Sequence, residues 1–325
     1  MISGMTPSTP PGPARPRGRT AGRWAGALAL VGMIVAAGPP LVAGAAAPRR
    51  GVVDAIAAEN EYADVLAQIG GRHVHVQSIL DNPNTDPHTF ESSPRVAQEV
   101  KDAQLIVQNG LGYDTFMEPI EAASPSPTRR VIVVQHVLGL ADTTPNPHLW
   151  YDPRTMPAVA KVMAADLTEL LPADAGYFRA NLRRFLASLQ PWFRAIAAFK
   201  AKYKDVTAAT TEPVADYLLT AMGIRNLTPW RFQADIMNGV DPAPQDVSLE
   251  DGFFTRHMVD VFCYNQQVVD ELTTSIRQTA LKNGVPVVGV YETMPTPGYH
   301  YQTWMLAEVD AIEKAVADKV STQHL

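Results

Sequence analysis

Six short apolar runs along the chain have the length and composition of buried β-strands. They are rich in β-branched residues and are bounded by Gly, Pro or Asn, which favours strands over helices. The runs are 73–80, 105–108, 131–135, 206–209, 259–264 and 285–291. Segments with helical spacing of apolar residues, such as 94–103 and 156–171, lie between them. This alternation predicts an α/β fold in which largely parallel sheets are flanked by helices.

The middle of the chain has a different pattern, because helical spacing continues without a strand over 173–204. A helix of that length would extend about 45 Å, which is longer than a small domain is wide. A set of strands and helices lies on each side of it. We therefore expect an N-terminal α/β lobe at 46–172 and a C-terminal α/β lobe at 205–325, joined by one long rigid helix. The alternative is two ordinary helices broken at Pro191, since proline interrupts helical hydrogen bonding.

The first 45 residues have the features of a secretory signal peptide. Four arginines precede an apolar stretch at 24–37, and small residues follow, with an Ala-x-Ala pattern ending at Ala45. The apolar stretch is shorter than the roughly 20 residues that span a bilayer, so a membrane anchor is the weaker alternative. No cysteine lies near the expected cleavage site, and no twin arginine directly precedes the apolar stretch. We expect a protein free in the periplasm, without a lipid anchor.

Composition narrows the possible functions. The chain has 325 residues, 46% of them hydrophobic and 18% charged, which is ordinary for a soluble globular protein. Its net charge of −6 argues against nucleic acid as a partner. Cys263 is the one cysteine in the sequence, which excludes an internal disulfide and a cysteine-rich zinc site. Common nucleotide-binding and hydrolase motifs are absent from the sequence. We expect a monomer that is not an enzyme.

Two histidines occur in similar loops. His88 follows Asp86-Pro87, and His148 follows Asn146-Pro147. Proline restricts the backbone before each imidazole, and a polar neighbour can orient the ring, as a preformed metal site requires. Each histidine taken alone could equally be a polar loop residue. His300 is a minor additional candidate.

Two glutamates complete the candidate site. Glu212 follows a predicted strand and precedes Pro213, which is expected to begin a helix that ends at Gly223. Glu292 likewise follows the buried run 285–291. Ligands of α/β proteins bind at the carboxyl ends of strands, so both carboxylates are candidate metal ligands. The alternatives are a helix-capping acid and a solvated acid at the end of a strand.

Together these residues predict a metal site of two imidazoles and two carboxylates in a cleft between the lobes. Such ligands suit Zn²⁺ and Mn²⁺ about equally, and Fe²⁺ less well. The leading hypothesis is a receptor that binds and releases the ion. The alternatives are a secreted metal-dependent hydrolase, whose metal would keep an open position for water, and an adhesion protein with a structural metal.

The chain resembles the periplasmic zinc- and manganese-binding receptors of ABC transporters. The segments that carry the resemblance are 86–91, 146–150, the central helix, 211–214, 290–295 and 301–305. The resemblance implies two lobes bridged by a rigid helix, a membrane permease as partner, His88 and His148 as ligands from the first lobe, and Glu212 as the third ligand. The family's fourth ligand is commonly Asp, and Glu292 is nearest to that place. Many zinc members have His at the third place and a His-rich loop, which this sequence lacks.

Overall fold

The computed structural model describes residues 51–325 except Thr85, so the predicted signal peptide lies outside the described residues. Two parallel sheets of four strands form the framework. The first contains β1 (Val53–Glu59), β2 (Val74–Leu80), β3 (Leu105–Gln108) and β4 (Arg130–Val133), in the order β2-β1-β3-β4. The second contains β5 (Thr207–Thr210), β6 (Arg225–Asn226), β7 (Val261–Asn265) and β8 (Val287–Val290), in the order β6-β5-β7-β8. The predicted α/β class with parallel sheets is confirmed.

Helices connect the strands and cover the sheets. In chain order they are α1 (Asn60–Gly70), α2 (Pro94–Asp102), α3 (Met117–Ala123), α4 (Val134–Val137), α5 (Thr155–Leu170), α6 (Ala175–Ser188), α7 (Gln190–Lys202), α8 (Asp216–Met222), α9 (Trp230–Met237), α10 (Pro244–Thr255), α11 (Glu271–Lys282) and α12 (Tyr301–Asp318). Short 3-10 helices occur at Gly71–His73, Pro87–Thr89, Leu149–Tyr151 and Pro172–Asp174. Among the described residues, no helix is both long and apolar enough to cross a membrane.

The segment between the sheets is two helices, α6 and α7, with Leu189 between them. The predicted long connecting helix is therefore interrupted close to Pro191, although the backbone of Leu189 keeps a right-handed helical conformation (φ −76°, ψ −16°). Pro191 has no N–H to donate to the carbonyl of Ala187, and its ring crowds that carbonyl. Helix α6 packs on α1 and α5, whereas α7 packs on α12 and α8, so the pair still connects the two halves of the chain.

The main apolar core includes residues from both sheets and from the helices between them. Trp150, Trp192 and Trp304 are fully buried in it and come from the first half, the connecting pair and the last helix. Burying a large apolar side chain contributes about 1.5–3 kcal/mol. The region between the sheets is therefore closely packed, and the polar groups inside it need hydrogen-bond partners or a ligand.

Candidate metal centre

His88 lies beyond the carboxyl end of β2, in the 3-10 helix Pro87–Thr89. Asp86 caps this helix, because its Oδ1 accepts a hydrogen bond of 2.8 Å from the backbone N–H of His88. The Pro87 ring and the Asp86 cap together fix the backbone that carries the imidazole. The imidazole points inward, and its side chain is 23% exposed.

His148 is fully buried just before the 3-10 helix Leu149–Tyr151. Asn146 Oδ1 lies 3.0 Å from His148 N and 2.8 Å from His148 Nδ1. The Asn146 side chain is oriented by its Nδ2, which donates to the carbonyl of Pro213 at 2.8 Å. Because an amide oxygen only accepts, His148 Nδ1 carries the hydrogen, and the lone pair of its Nε2 is free to bind an ion.

Glu292 follows β8 and brings a fully buried carboxylate to both imidazoles. Its Oε2 lies 3.2 Å from His88 Nε2 and 3.3 Å from His148 Nε2, and it accepts a 3.0 Å hydrogen bond from the Tyr113 hydroxyl. The candidate ligand atoms of these three residues all lie within 4.8 Å of one another. Two nitrogens and an oxygen therefore converge as a first coordination shell would require.

The electrostatics of this group favour a cation among the three side chains. Burial lowers the pKa of His148, whereas contact with Glu292 outweighs burial and raises the pKa of His88. Burial alone would raise the pKa of Glu292, but the imidazoles of His148 and His88 hold that pKa below its ordinary value. The imidazoles lower the pKa of Glu292 when they donate a hydrogen from Nε2 to it. Once Nε2 of His148 loses that hydrogen, with Nδ1 keeping its own, a lone pair faces the carboxylate, and a metal ion can take the place of the proton between them.

Glu212 lies two residues beyond β5 and is 2% exposed. Asn265, at the end of β7, donates from its Nδ2 to Glu212 Oε1 at 3.0 Å and to Glu292 Oε1 at 2.7 Å. Glu212 Oε2 is buried without a hydrogen-bond partner among the described residues. Burial, and then the charge of Glu292, raise the pKa of Glu212 well above its ordinary value. The structure thus places Glu212 beside Glu292 through Asn265, but outside the group of three within 4.8 Å.

The predicted helix start at Pro213 is wrong by three residues. Helix α8 begins at Asp216, and the carbonyl of Pro213 accepts from Asp216 N in a turn and from Asn146 Nδ2. Glu212 is therefore not at a helix N-terminus, and its carboxylate depends on Asn265. The end of that helix at Gly223 agrees with the sequence, since Gly223 has a φ of +81°.

Two residues near the carboxylates were missed by sequence reasoning. Asn265 has the same signal as Glu212 and Glu292, a polar residue at the carboxyl end of a buried strand, so that rule could have found it. Tyr113 lies in an irregular loop and carries no comparable signal. His300, the minor candidate, pairs its Nδ1 with Asp64 Oδ1 at 2.7 Å, and it is not in the group of three.

These features define a class of protein: a two-sheet α/β protein with a cluster of candidate metal-binding side chains, two of them buried, on the loops that follow its strands. Over residues 56–315 the sequence matches the family model described as "Zinc-uptake complex component A periplasmic". The chain belongs to this family, and the expected family is confirmed.

Individual relatives are distant. The manganese-binding lipoprotein MntA of Halalkalibacterium halodurans is 29% identical over 39% of this chain, and the match spans 43% of that protein. The iron-binding protein YfeA of Yersinia pestis is 24% identical, and the match covers 73% of this chain and 78% of YfeA. The solved structure of the periplasmic zinc-binding protein TroA from Treponema pallidum superposes with a TM-score of 0.70 at 18% identity, covering 83% of this chain and 100% of that chain. This likeness shows that the fold is shared.

Proposed function

We propose that the protein is an extracytoplasmic receptor that binds a divalent transition metal between its lobes and delivers it to the permease of an ABC transporter. The observation that carries the proposal is the convergence of candidate ligand atoms of His88, His148 and Glu292 within 4.8 Å of one another, with His148 and Glu292 buried. Membership of a family of periplasmic metal-uptake components supports the same function.

The proposed ligands are Nε2 of His88, Nε2 of His148 and the carboxylates of Glu292 and Glu212. The unpartnered Glu212 Oε2 supports its inclusion, because a buried oxygen without a donor is stabilised by a cation. Two carboxylates would neutralise a divalent ion and so lower the cost of its burial. The proposed lobes remain 46–172 and 205–325.

Zn²⁺ and Mn²⁺ are the proposed cargo, with Fe²⁺ third. Two imidazoles and two carboxylates bind Zn²⁺ as four ligands, while chelation by both carboxylates would give the six-coordination that suits Mn²⁺. Relatives are named for manganese, iron and zinc binding. The site contains no thiolate, since the single Cys263 lies within β7, and this disfavours Cu⁺.

We propose a receptor rather than an enzyme, because four protein ligands would leave no open position for a reacting water. We also propose that the protein is a periplasmic monomer that binds no nucleic acid. We propose that it has no lipid anchor, since no cysteine lies near Ala45. That feature would distinguish this chain from relatives named as lipoproteins.

Calorimetric titration of the apo-protein with Zn²⁺ and with Mn²⁺ tests the proposal. We expect one equivalent to bind tightly to the wild type and tight binding to be lost in His88→Ala and in His148→Ala. His136→Ala is the matched control, because that histidine is exposed and outside the group of three. Unchanged affinity in either ligand variant would remove the assignment. A metal that leaves only when the protein unfolds would favour the structural-metal alternative, and substrate turnover would favour the hydrolase.

A further inference from the structure

The backbone that carries Glu292 is held by a side chain from the first half of the molecule. Asn60, the first residue of α1, donates from Nδ2 to the carbonyl of Met294 at 2.9 Å. The N–H of Met294 donates back to Asn60 Oδ1, also at 2.9 Å. This reciprocal pair is buried and lies two residues after Glu292. It fixes both the position and the orientation of that peptide segment, because one planar amide binds a donor and an acceptor together.

A second reciprocal pair lies on the other side of Glu292. The hydroxyl of Tyr151 donates to the carbonyl of Tyr291 at 2.9 Å and accepts from the N–H of Tyr291 at 3.2 Å. Tyr151 is fully buried and lies three residues after His148, in the adjoining 3-10 helix Leu149–Tyr151. The loop that carries His148 is therefore bound directly to the residue before Glu292.

The C-terminal half holds the same segment from its own side. Gln267 Oε1 accepts from the N–H groups of Glu292 at 2.6 Å and of Thr293 at 2.8 Å. Each backbone N–H from Tyr291 to Met294 thus donates to a side chain. The N–H of Tyr291 donates to Tyr151, those of Glu292 and Thr293 to Gln267, and that of Met294 to Asn60. These hydrogen bonds are concentrated on the residues next to Glu292. Contacts whose only effect was to join the two halves could lie anywhere along the boundary between them.

We propose that Asn60 and Tyr151 are positioning residues that hold the Glu292 carboxylate between the imidazoles of His88 and His148. The inference rests on the proposed function. It adds that the N-terminal half supplies two histidine ligands and also sets the place of the carboxylate that the C-terminal half contributes. Metal ligands bind well only when their supporting hydrogen bonds fix them near the productive geometry.

The test compares metal dissociation and metal geometry in the full-length protein. Zn²⁺ dissociation is followed by stopped-flow mixing with a chromogenic chelator, and the coordination geometry is followed by the visible absorption of bound Co²⁺. We expect Asn60→Ala to release Zn²⁺ about tenfold faster than the wild type, with an altered Co²⁺ spectrum. Tyr151→Phe removes only the hydroxyl, so it tests the same idea if Asn60→Ala folds poorly, and we expect a smaller acceleration.

Asn181→Ala is the matched control. Asn181 is also buried, and its Nδ2 donates to a backbone carbonyl, that of Ile69 in α1, at 2.8 Å. We expect this variant to lose thermal stability but to keep the wild-type dissociation rate and Co²⁺ spectrum. The inference is overturned if Asn60→Ala and Tyr151→Phe behave as Asn181→Ala does. If the wild type itself bound no metal, the proposed function would fail, and the inference with it.

Discussion

Glu308 is a fully buried carboxyl group outside the metal centre, and it gives a quantitative prediction. It lies on α12, where its Oε1 accepts from Trp304 Nε1 at 3.0 Å and lies 3.2 Å from the Tyr151 hydroxyl. Its Oε2 has no hydrogen-bond partner among the described residues. Burial raises the pKa of Glu308 to about 8 from an ordinary value of 4.5.

The raised pKa makes stability depend on pH in a definite direction. Between pH 4.5 and about 8 the folded protein retains a proton that the unfolded chain has lost, so the free energy of unfolding falls as the pH rises and levels off above that window. The pKa of Glu308 differs by about 3.5 units between the folded and unfolded states. At about 1.36 kcal/mol per unit, the free energy of unfolding falls by about 5 kcal/mol across this window. Glu308→Gln abolishes this loss, but it buries an amide whose N–H groups lack a partner, which costs about 1–3 kcal/mol.

Glu308→Gln should therefore be less stable than the wild type at pH 5 and more stable, by about 2–4 kcal/mol, at pH 9. Urea unfolding of the apo-protein with a chelator, at intervals from pH 5 to 9, measures the difference. Glu313→Gln on the same helix is the control, since its carboxylate pairs at 3.0 Å with the largely exposed Lys202 and should give a small, flat difference. A constant difference for Glu308→Gln across the range would refute the reasoning.

Two further predictions concern the surroundings of the site. Asn265→Ala removes the donor shared by Glu212 and Glu292, so calorimetry should show metal affinity reduced about 10- to 100-fold, and an unchanged affinity would contradict the role given to Asn265. Gly110→Ala places a Cβ 2.8 Å from Gln135 Oε1 at a φ of +82°, so urea unfolding should show a loss of at least about 1–2 kcal/mol, and wild-type stability would show that this loop relaxes freely.

The sequence predicted the fold class because most of the strands are recognisable without their neighbours. Strands such as β7 and β8 are continuous apolar runs, typical of parallel sheets covered on both faces. Strand β1 was missed although it pairs with both β2 and β3. Its sequence, VDAIAAE, is rich in alanine and ends in a buried glutamate, so its strand character comes from its neighbours in the sheet. Strand β6 was missed because it has only two residues, too few to show an alternation of apolar and polar positions.

The site was predictable where local sequence fixes a side chain, and less so where long-range contacts do. His88 and His148 follow stiff proline loops, and the structure brings both imidazoles to the Glu292 carboxylate. The setting of Glu212 depends on Asn146, whose amide binds the carbonyl of Pro213 from 67 residues away in the sequence. No local pattern contains such a contact, which is why the start of α8 was misplaced.

The arrangement around Asn265 bears on how a receptor of this kind could both bind and release an ion. One amide nitrogen donates to two buried carboxyl groups, and Glu292 is favoured as the ionised one because two imidazoles contact it. Glu212 has the raised pKa, since burial and the charge of Glu292 both oppose its ionisation. A divalent ion held by His88, His148 and Glu292 would offset the negative charge of Glu292 and so favour the ionised form of Glu212. On the proposed ligand set, protonation of Glu212 therefore competes with metal binding as the pH falls.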